Sequence, residues 1–263
     1  MALDEHRNLF TPTLWEQPDD AHNLKKLKQC WFPGVHSNIG GSYADAGISN
    51  ITLAWMISQL EDHDGGILTF DHKYLDQVQD WNTEGYANRN EPVRPWGMGR
   101  LYDSASHNKI LTAAQGINPI VRTPGKYCQI DLKTGLQNPK APLKNTNEYI
   151  HRCVRVRINA GGLGTEEDPA TATAKIVDVG LKVKDFFTHT PAVPVQDPSP
   201  YKSAALSEYK LVQPQSVQRE VDHSSPGPSG VYWHATDRDL PEDELGSAEI
   251  EMLRRLQNAG KVQ

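Results

Sequence analysis

The side chain best placed to do chemistry is His36. It lies in Cys30-Trp31-Phe32-Pro33-Gly34-Val35-His36-Ser37-Asn38-Ile39-Gly40-Gly41-Ser42-Tyr43, an apolar run that breaks into a glycine-rich loop. An imidazole with an ordinary pKa of about 6.5 can accept a proton and return it near neutral pH. On residue type alone, a single loop histidine is equally what structure or chance supplies. No G-x-S-x-G occurs in the chain, and Gly41-Ser42 falls in a loop rather than at a strand-to-helix elbow. Walker-type and dinucleotide-binding glycine patterns are absent as well. The densest group of candidate metal ligands is Glu61-Asp62-His63-Asp64, with Asp71 and His72 nearby. Its position at a helix end reads as solvated charge, so neither a metal nor a cofactor is implied. His107 and His151 stand alone and read as structural or exposed. Glu166-Glu167 and Glu242-Asp243-Glu244 read as surface charge, and Gly161-Gly162-Leu163-Gly164 as a surface loop.

A strand and a helix must position His36. Lys28 to Val35 is expected to be a short buried strand. Pro33 ends its pairing because it has no N–H to donate. Gly34 allows a tight turn, and Gly40 and Gly41 allow close backbone approach or positive φ. The following segment, Asn50 to about Asp62, predicts a strongly apolar helix. Leu53, Met56, Ile57 and Leu60 recur at helical spacing on one face, and Ile51, Ala54 and Trp55 widen it. Ser49 or Asn50 is the expected cap. In doubly wound α/β proteins, reactive groups sit just beyond the carboxyl ends of strands, where His36 falls.

Length and composition bound the rest. With 263 residues, one large domain or two small ones fit. Eighteen prolines and 20 glycines predict extensive loops. A net charge of −6 offers no electrostatic reason to expect nucleic acid or an anionic membrane. No apolar run approaches the roughly 20 residues of a transmembrane segment. Met1 to Phe10 is too charged for a signal peptide. The three cysteines, Cys30, Cys128 and Cys153, are odd in number and form no CxxC pair. A reduced, cytoplasmic chain is the simplest expectation.

Along the chain, Ala2 to Leu27 reads as a solvated approach segment in which Asp4, Glu5 and Arg7 pair locally. Leu68 to Val78 predicts a short helix, Asp80 to Met98 a loop, and Tyr102 to Ala113 another helix. Val121 to Asp131 suggests a hairpin turning at Thr123-Pro124-Gly125. In Asn147 to Ile158, Val154, Val156 and Ile158 alternate with Arg155 and Arg157, which favours a strand at its end. Asn159 to Thr173 reads as a loop and Thr188 to Ser203 as an extended connector. Leu206 to Val212 and Gly230 to Ala235 predict strands around a flexible Pro214 to Ser229 segment. A helix is expected from about Ser247, with Leu253 and Leu256 on its apolar face.

The stretch from Trp31 to Gly41, with Leu53-Ala54-Trp55-Met56 after it, closely resembles a large α/β-hydrolase family. That family contains the type VI secretion phospholipase effectors and many fungal relatives. Ala2-Leu3-Asp4-Glu5, with Arg7 and Phe10, resembles the segment that precedes this strand in the family. Asn147-Glu148-Tyr149-Ile150-His151, with Val154-Arg155-Val156-Arg157, resembles a downstream segment of its fungal members. The resemblance covers about residues 1–60 and is patchy to about 160. It implies a serine esterase in which His36 is the triad histidine. The G-x-S-x-G serine, the acid and the oxyanion donors would then lie upstream of Met1. Asn38 stands where the family commonly has aspartate, and Ser42 where it commonly has a third glycine.

The resemblance therefore implies an α/β fold. Residues 1–66 would be the C-terminal end of an α/β-hydrolase domain. A loop-rich mixed α+β extension would follow over 67–187, a Pro-rich connector over 188–230 and a charged tail with a helix over 231–263. The implied substrate class is an ester or phospholipid, reached once the chain is joined to its upstream half. A non-catalytic remnant or interaction module of the same fold is the alternative. With few sequence partners in view for the strand at Cys30, its edges and the apolar helix are expected to be poorly covered.

Overall fold

The computed structural model describes residues 1–20, 26–62, 66–103, 120–167, 199–213 and 230–258. In chain order the elements are β1 (Gln29–Trp31), α1 (His36–Gly40), α2 (Gly47–Glu61), α3 (Lys73–Asn88) and β2 (Leu101–Asp103). There follow β3 (Cys128–Ile130), β4 (Gln137–Pro142), β5 (Glu148–His151), α4 (Arg152–Asn159) and β6 (Thr165–Glu167). The last are β7 (Lys210–Val212), β8 (Tyr232–Ala235), β9 (Arg238–Asp243) and α5 (Ser247–Asn258). The main sheet has the order β1-β5-β9-β8-β7. β1, β5 and β9 are parallel, whereas β8 and β7 are added antiparallel. β2 pairs with β6, and β3 pairs with β4. The result is a mixed α/β architecture with a mixed sheet and, among the described residues, five helices.

β1 is buried on every residue. It is covered on both edges, contrary to expectation. β5 pairs with it on one side, and Ala2 bridges Phe32 in parallel on the other. The N-terminal segment is accordingly no solvated approach: Leu3, Asp4 and Glu5 are all buried. Glu5 and Arg7 do pair, as expected.

The apolar helix α2 forms where the pattern places it and packs against α1, α3 and α5. Its inward face differs from the one read off the spacing. Ile48, Ile51, Ala54, Trp55, Ile57 and Ser58 are buried, Leu53 and Leu60 are half-buried, and Met56 is 49% exposed. Almost every turn of this helix carries apolar groups, so periodicity alone cannot choose the face. Neighbours choose it, and the Trp55 indole N–H is drawn inward to Asp243 Oδ2 at 2.7 Å. The start is held by Asp45, which accepts from the Gly47 N–H at 2.9 Å, rather than by Ser49 or Asn50. The Asn50 amide instead reaches across to the Val78 carbonyl on α3.

Other expectations are corrected. α3 runs through the expected loop as far as Asn88, burying Leu75 and Tyr86. Tyr102 and Asp103, where a helix over Tyr102 to Ala113 is expected, belong to a strand, Leu101–Asp103, and residues 104–113 lie outside the described residues. Thr123 to Lys126 does turn, but the hairpin lies further on, between β3 and β4. The segment read as ending in a strand has the opposite order: β5 comes first and α4 follows without a loop. The valine–arginine alternation fits a helix because the arginines are interior too. Arg155 forks onto Glu242 at 2.7 and 2.8 Å, and Arg157 donates to the carbonyls of Leu163, Gly97 and Gly99. Thr165–Glu167 is a strand inside an expected loop. β9 carries Asp243 and the Glu242 side chain into the interior, so these two acids are not surface charge, whereas Glu244 is exposed. Residues 188–198, residues 214–229, His63 and His107 lie outside the described residues.

His151 closes β5 and opens α4. Its Nε2 pairs with Glu249 Oε1 at 2.7 Å, and its Nδ1 lies 3.2 Å from the Cys153 backbone nitrogen. The ring is fully buried and stacks on Phe32 at 4.4 Å. Burial opposes its charge, but the neighbouring Cys153 and Glu249 groups outweigh it and push the pKa up to about 10.

Two measurements check this packing. Ile51→Ala should cost about 2–5 kcal/mol in urea unfolding, whereas Met56→Ala should stay within about 0.5–1 kcal/mol. A raised histidine pKa adds stability that is complete below the unfolded value, 6.5, and is lost as pH rises through about 10. The stability difference between the wild type and His151→Gln should therefore shrink across that window. A difference independent of pH would contradict the buried ion pair.

Candidate functional site: the loop at the end of β1

The chain leaves β1 through Phe32 and Pro33, turns at Gly34 and enters α1 at His36. Three consecutive backbone N–H groups in this turn are taken up by three different side chains. Gly34 N–H donates to Asp4 Oδ2 at 2.6 Å, Val35 N–H to Asn38 Oδ1 at 3.1 Å, and His36 N–H to Glu5 Oε2 at 3.1 Å. Gly34 adopts a φ of +96°, and a Cβ there would lie 2.7 Å from Asn38 Oδ1. Glycine is needed on both counts.

Each acceptor is itself held. Tyr201 O–H donates to Asp4 Oδ2 at 2.9 Å. Burial pushes the Asp4 carboxyl up, against the hydrogen bonds from Gly34 and Tyr201. Burial would raise Glu5 too, but the Arg7 side chain and the Arg7 and His36 N–H groups outweigh it and bring its pKa down to about 2. Asn38, 2% exposed, also accepts from Tyr102 N–H at 3.2 Å and donates to the Arg100 carbonyl at 2.8 Å. Its amide thus joins the β1 loop to β2 using both a donor and an acceptor. An ionised aspartate in its place would offer no donor to that carbonyl.

The His36 ring is exposed at the carboxyl end of a parallel strand. The Phe10 ring lies 4.8 Å from it, and the Arg7 guanidinium sits 3.9 Å from the Phe10 centroid. Among the described residues, no serine hydroxyl or carboxylate hydrogen-bonds the His36 ring. Among the described residues, the structure thus presents the histidine with no nucleophile or acid bonded to its ring. Ser42 is exposed, with a φ of +94°, a left-handed conformation that suits glycine. This explains physically why glycine would be favoured there.

The other candidates fall elsewhere. Cys30 and Cys153 are buried thiols, and burial pushes the Cys30 thiol well up, away from nucleophilic thiolate. His72 bridges Glu61 at 2.6 Å and Glu251 at 2.7 Å, chiefly through the Glu251 hydrogen bond that raises its pKa. Among the described residues, no group of three or more His, Cys, Asp or Glu is arranged to hold a metal. Asp4 and Asn38 show in the sequence only as parts of the resembling stretches, without their roles under this turn, and Tyr201 does not show at all. Asp4 and Tyr201 stand 197 residues apart, and only the fold brings them under one turn.

Residues 1–59 match the family model of the type VI secretion phospholipase effector Tle1-like catalytic domain. The match ends within α2 and so takes in Asp4, Glu5, β1, the His36 loop and Asn38. No curated protein and no solved structure matches the chain.

Two substitutions test the reading of this loop. Asn38→Asp should destabilise the fold by about 1–3 kcal/mol at neutral pH, because the Arg100 carbonyl loses its buried donor. Ser42→Gly should stabilise it by about 0.5–1 kcal/mol by relieving the left-handed φ. Thermal or urea unfolding reads both, and opposite signs would refute the geometry described.

Proposed function

We propose that this chain supplies the histidine of an esterase or phospholipase-like serine hydrolase, with His36 as its general base. The observation that carries this is the position of the ring: exposed at the carboxyl end of a parallel strand, within the residues that match a phospholipase-effector catalytic domain. In this reading His36 takes the proton of a serine hydroxyl as its oxygen attacks an ester carbonyl. It then gives that proton to the departing alcohol, and water repeats the cycle to release the acid. The N–H groups of Gly34, Val35 and His36 are already committed to side chains, so they are not the oxyanion donors. The serine, the acid and those donors are assigned to a segment outside residues 1–263. Without them the chain is inactive by itself.

The test has two arms. Residues 1–263 alone should show no esterase activity and no labelling by a fluorophosphonate probe. Joined to a segment bearing G-x-S-x-G and the acid, the same chain should hydrolyse phospholipid or simpler esters. His36→Ala should then lower kcat by about 10²–10⁴-fold with folding intact. A labelled serine in the isolated chain would mean a nucleophile within it. A joined protein indifferent to His36→Ala would remove His36 from the mechanism and favour a non-catalytic interaction module.

A further inference from the structure

We propose that the β3–β4 hairpin is a docking element for an anionic phospholipid bilayer surface. Its tip is the most exposed apolar structure in the described protein: Leu132 is 97% exposed, Leu136 67% and Ile130 42%. The exposure is built in rather than slack. Asp131 closes the tip by accepting from the Lys133 and Gly135 N–H groups and donating its own N–H to the Leu136 carbonyl at 2.9 Å. Gly135 supplies the positive φ that the turn needs. The two leucines therefore project from a fixed convex loop. A convex apolar tip suits a deformable surface that it can enter, rather than a rigid face that it would have to match.

Charge selects the surface. From Lys126 to Lys144 the chain has four lysines and a single acid, Asp131, although the whole protein carries −6. Lys126 is paired with Glu208. Lys133, Lys140 and Lys144 are exposed and, among the described residues, form no ion pair. Lysines flanking an inserted apolar tip meet the phosphate level of an anionic leaflet, where each contributes about 1 kcal/mol. The hairpin bears no exposed aromatic platform, so nucleic-acid stacking has no footing there.

The hairpin is also joined to the His36 loop. Residues Thr11 to Glu16 border it across a cavity of about 280 Å³. Glu16 accepts from the Lys144 N–H at 2.6 Å, and its neighbour Trp15 is 75% exposed. One residue before this segment stands Phe10, whose ring meets His36, and Leu9, 79% exposed. A strip of exposed apolar groups thus leads from the hairpin base to the histidine. A bilayer that met Leu9, Phe10 and Trp15 as well as the tip would lie beside that ring. This last step rests on the function proposed above, whereas docking itself does not.

Co-sedimentation of residues 1–263 with vesicles tests it. Phosphatidylcholine vesicles containing phosphatidylglycerol should bind the protein at least about tenfold more tightly than phosphatidylcholine alone, with binding weakened by salt. Leu132→Asp with Leu136→Asp should lower that binding about tenfold or more. Lys133→Glu with Lys140→Glu and Lys144→Glu should do the same, with urea midpoints unchanged because every altered side chain is exposed. His36→Ala should bind as the wild type does, so docking and catalysis fail separately. Absence of vesicle binding, or leucine variants that bind like the wild type, would overturn the proposal. Self-association lost in Leu132→Asp, without vesicle binding, would overturn it in favour of a second copy of the chain.

Discussion

The three backbone N–H groups at the end of β1 have to be satisfied, and this requirement organises the site. A strand that stops inside a protein leaves donors that are costly to bury unpaired. Here Asp4, Asn38 and Glu5 each take one of them. The Asp4 and Glu5 side chains come from the segment that bridges the edge of β1, so the same stretch closes the sheet and secures the turn. Asn38 then links the turn to β2, and Tyr201 links Asp4 to a part of the chain far along the sequence. The chemical consequence is selective. The backbone donors are used up in structure, and the His36 ring is left facing solvent.

The same economy runs through the interior. Glu148 accepts from the Trp31 indole at 2.8 Å, Asp243 accepts from the Trp55 indole, and Glu249 pairs with His151. Arg157 is fully buried, donates to carbonyl oxygens and lies 5.5 Å from the Tyr201 ring centroid, with Gly162 packed so closely that a Cβ would lie 2.6 Å from its Cγ. Burial pushes this guanidinium's pKa down, while four donated hydrogen bonds to carbonyls hold it in place. Such a network couples distant segments tightly, because removing one partner strands the other in a low-dielectric interior. β1 meets β5 more than a hundred residues later, and β5 meets β9 nearly a hundred beyond that.

What could be read from the sequence follows from this. Local signals were legible. The Pro33-Gly34 break, the apolar density of α2, the strands β7 and β8, and the start of α5 at Ser247 all show in neighbouring residues. The place of His36, just after a buried strand, shows there as well. Features that depend on distant partners were not legible. β9 reads Arg-Asp-Leu-Pro-Glu-Asp, which resembles an exposed tail until Arg155 and Lys28 are seen to pair with its acids and Trp55 to donate to Asp243. α4 reads as a strand because its valines alternate with arginines, and nothing local shows that Arg155 and Arg157 are interior. The lone His151 gave no sign of Glu249. The acceptors under the His36 turn were hidden for the same reason, since a buried aspartate and a solvated one look alike in sequence.

The central claim, that side chains consume the donors of the β1 turn and leave only the His36 ring open, is tested most directly by amide hydrogen exchange. The Gly34, Val35 and His36 amides should exchange as slowly as those of β1, even though the His36 side chain is exposed. Asn38→Ala should release the Val35 and Tyr102 amides together. Exchange of all three turn amides at unprotected rates in the wild type would contradict the account.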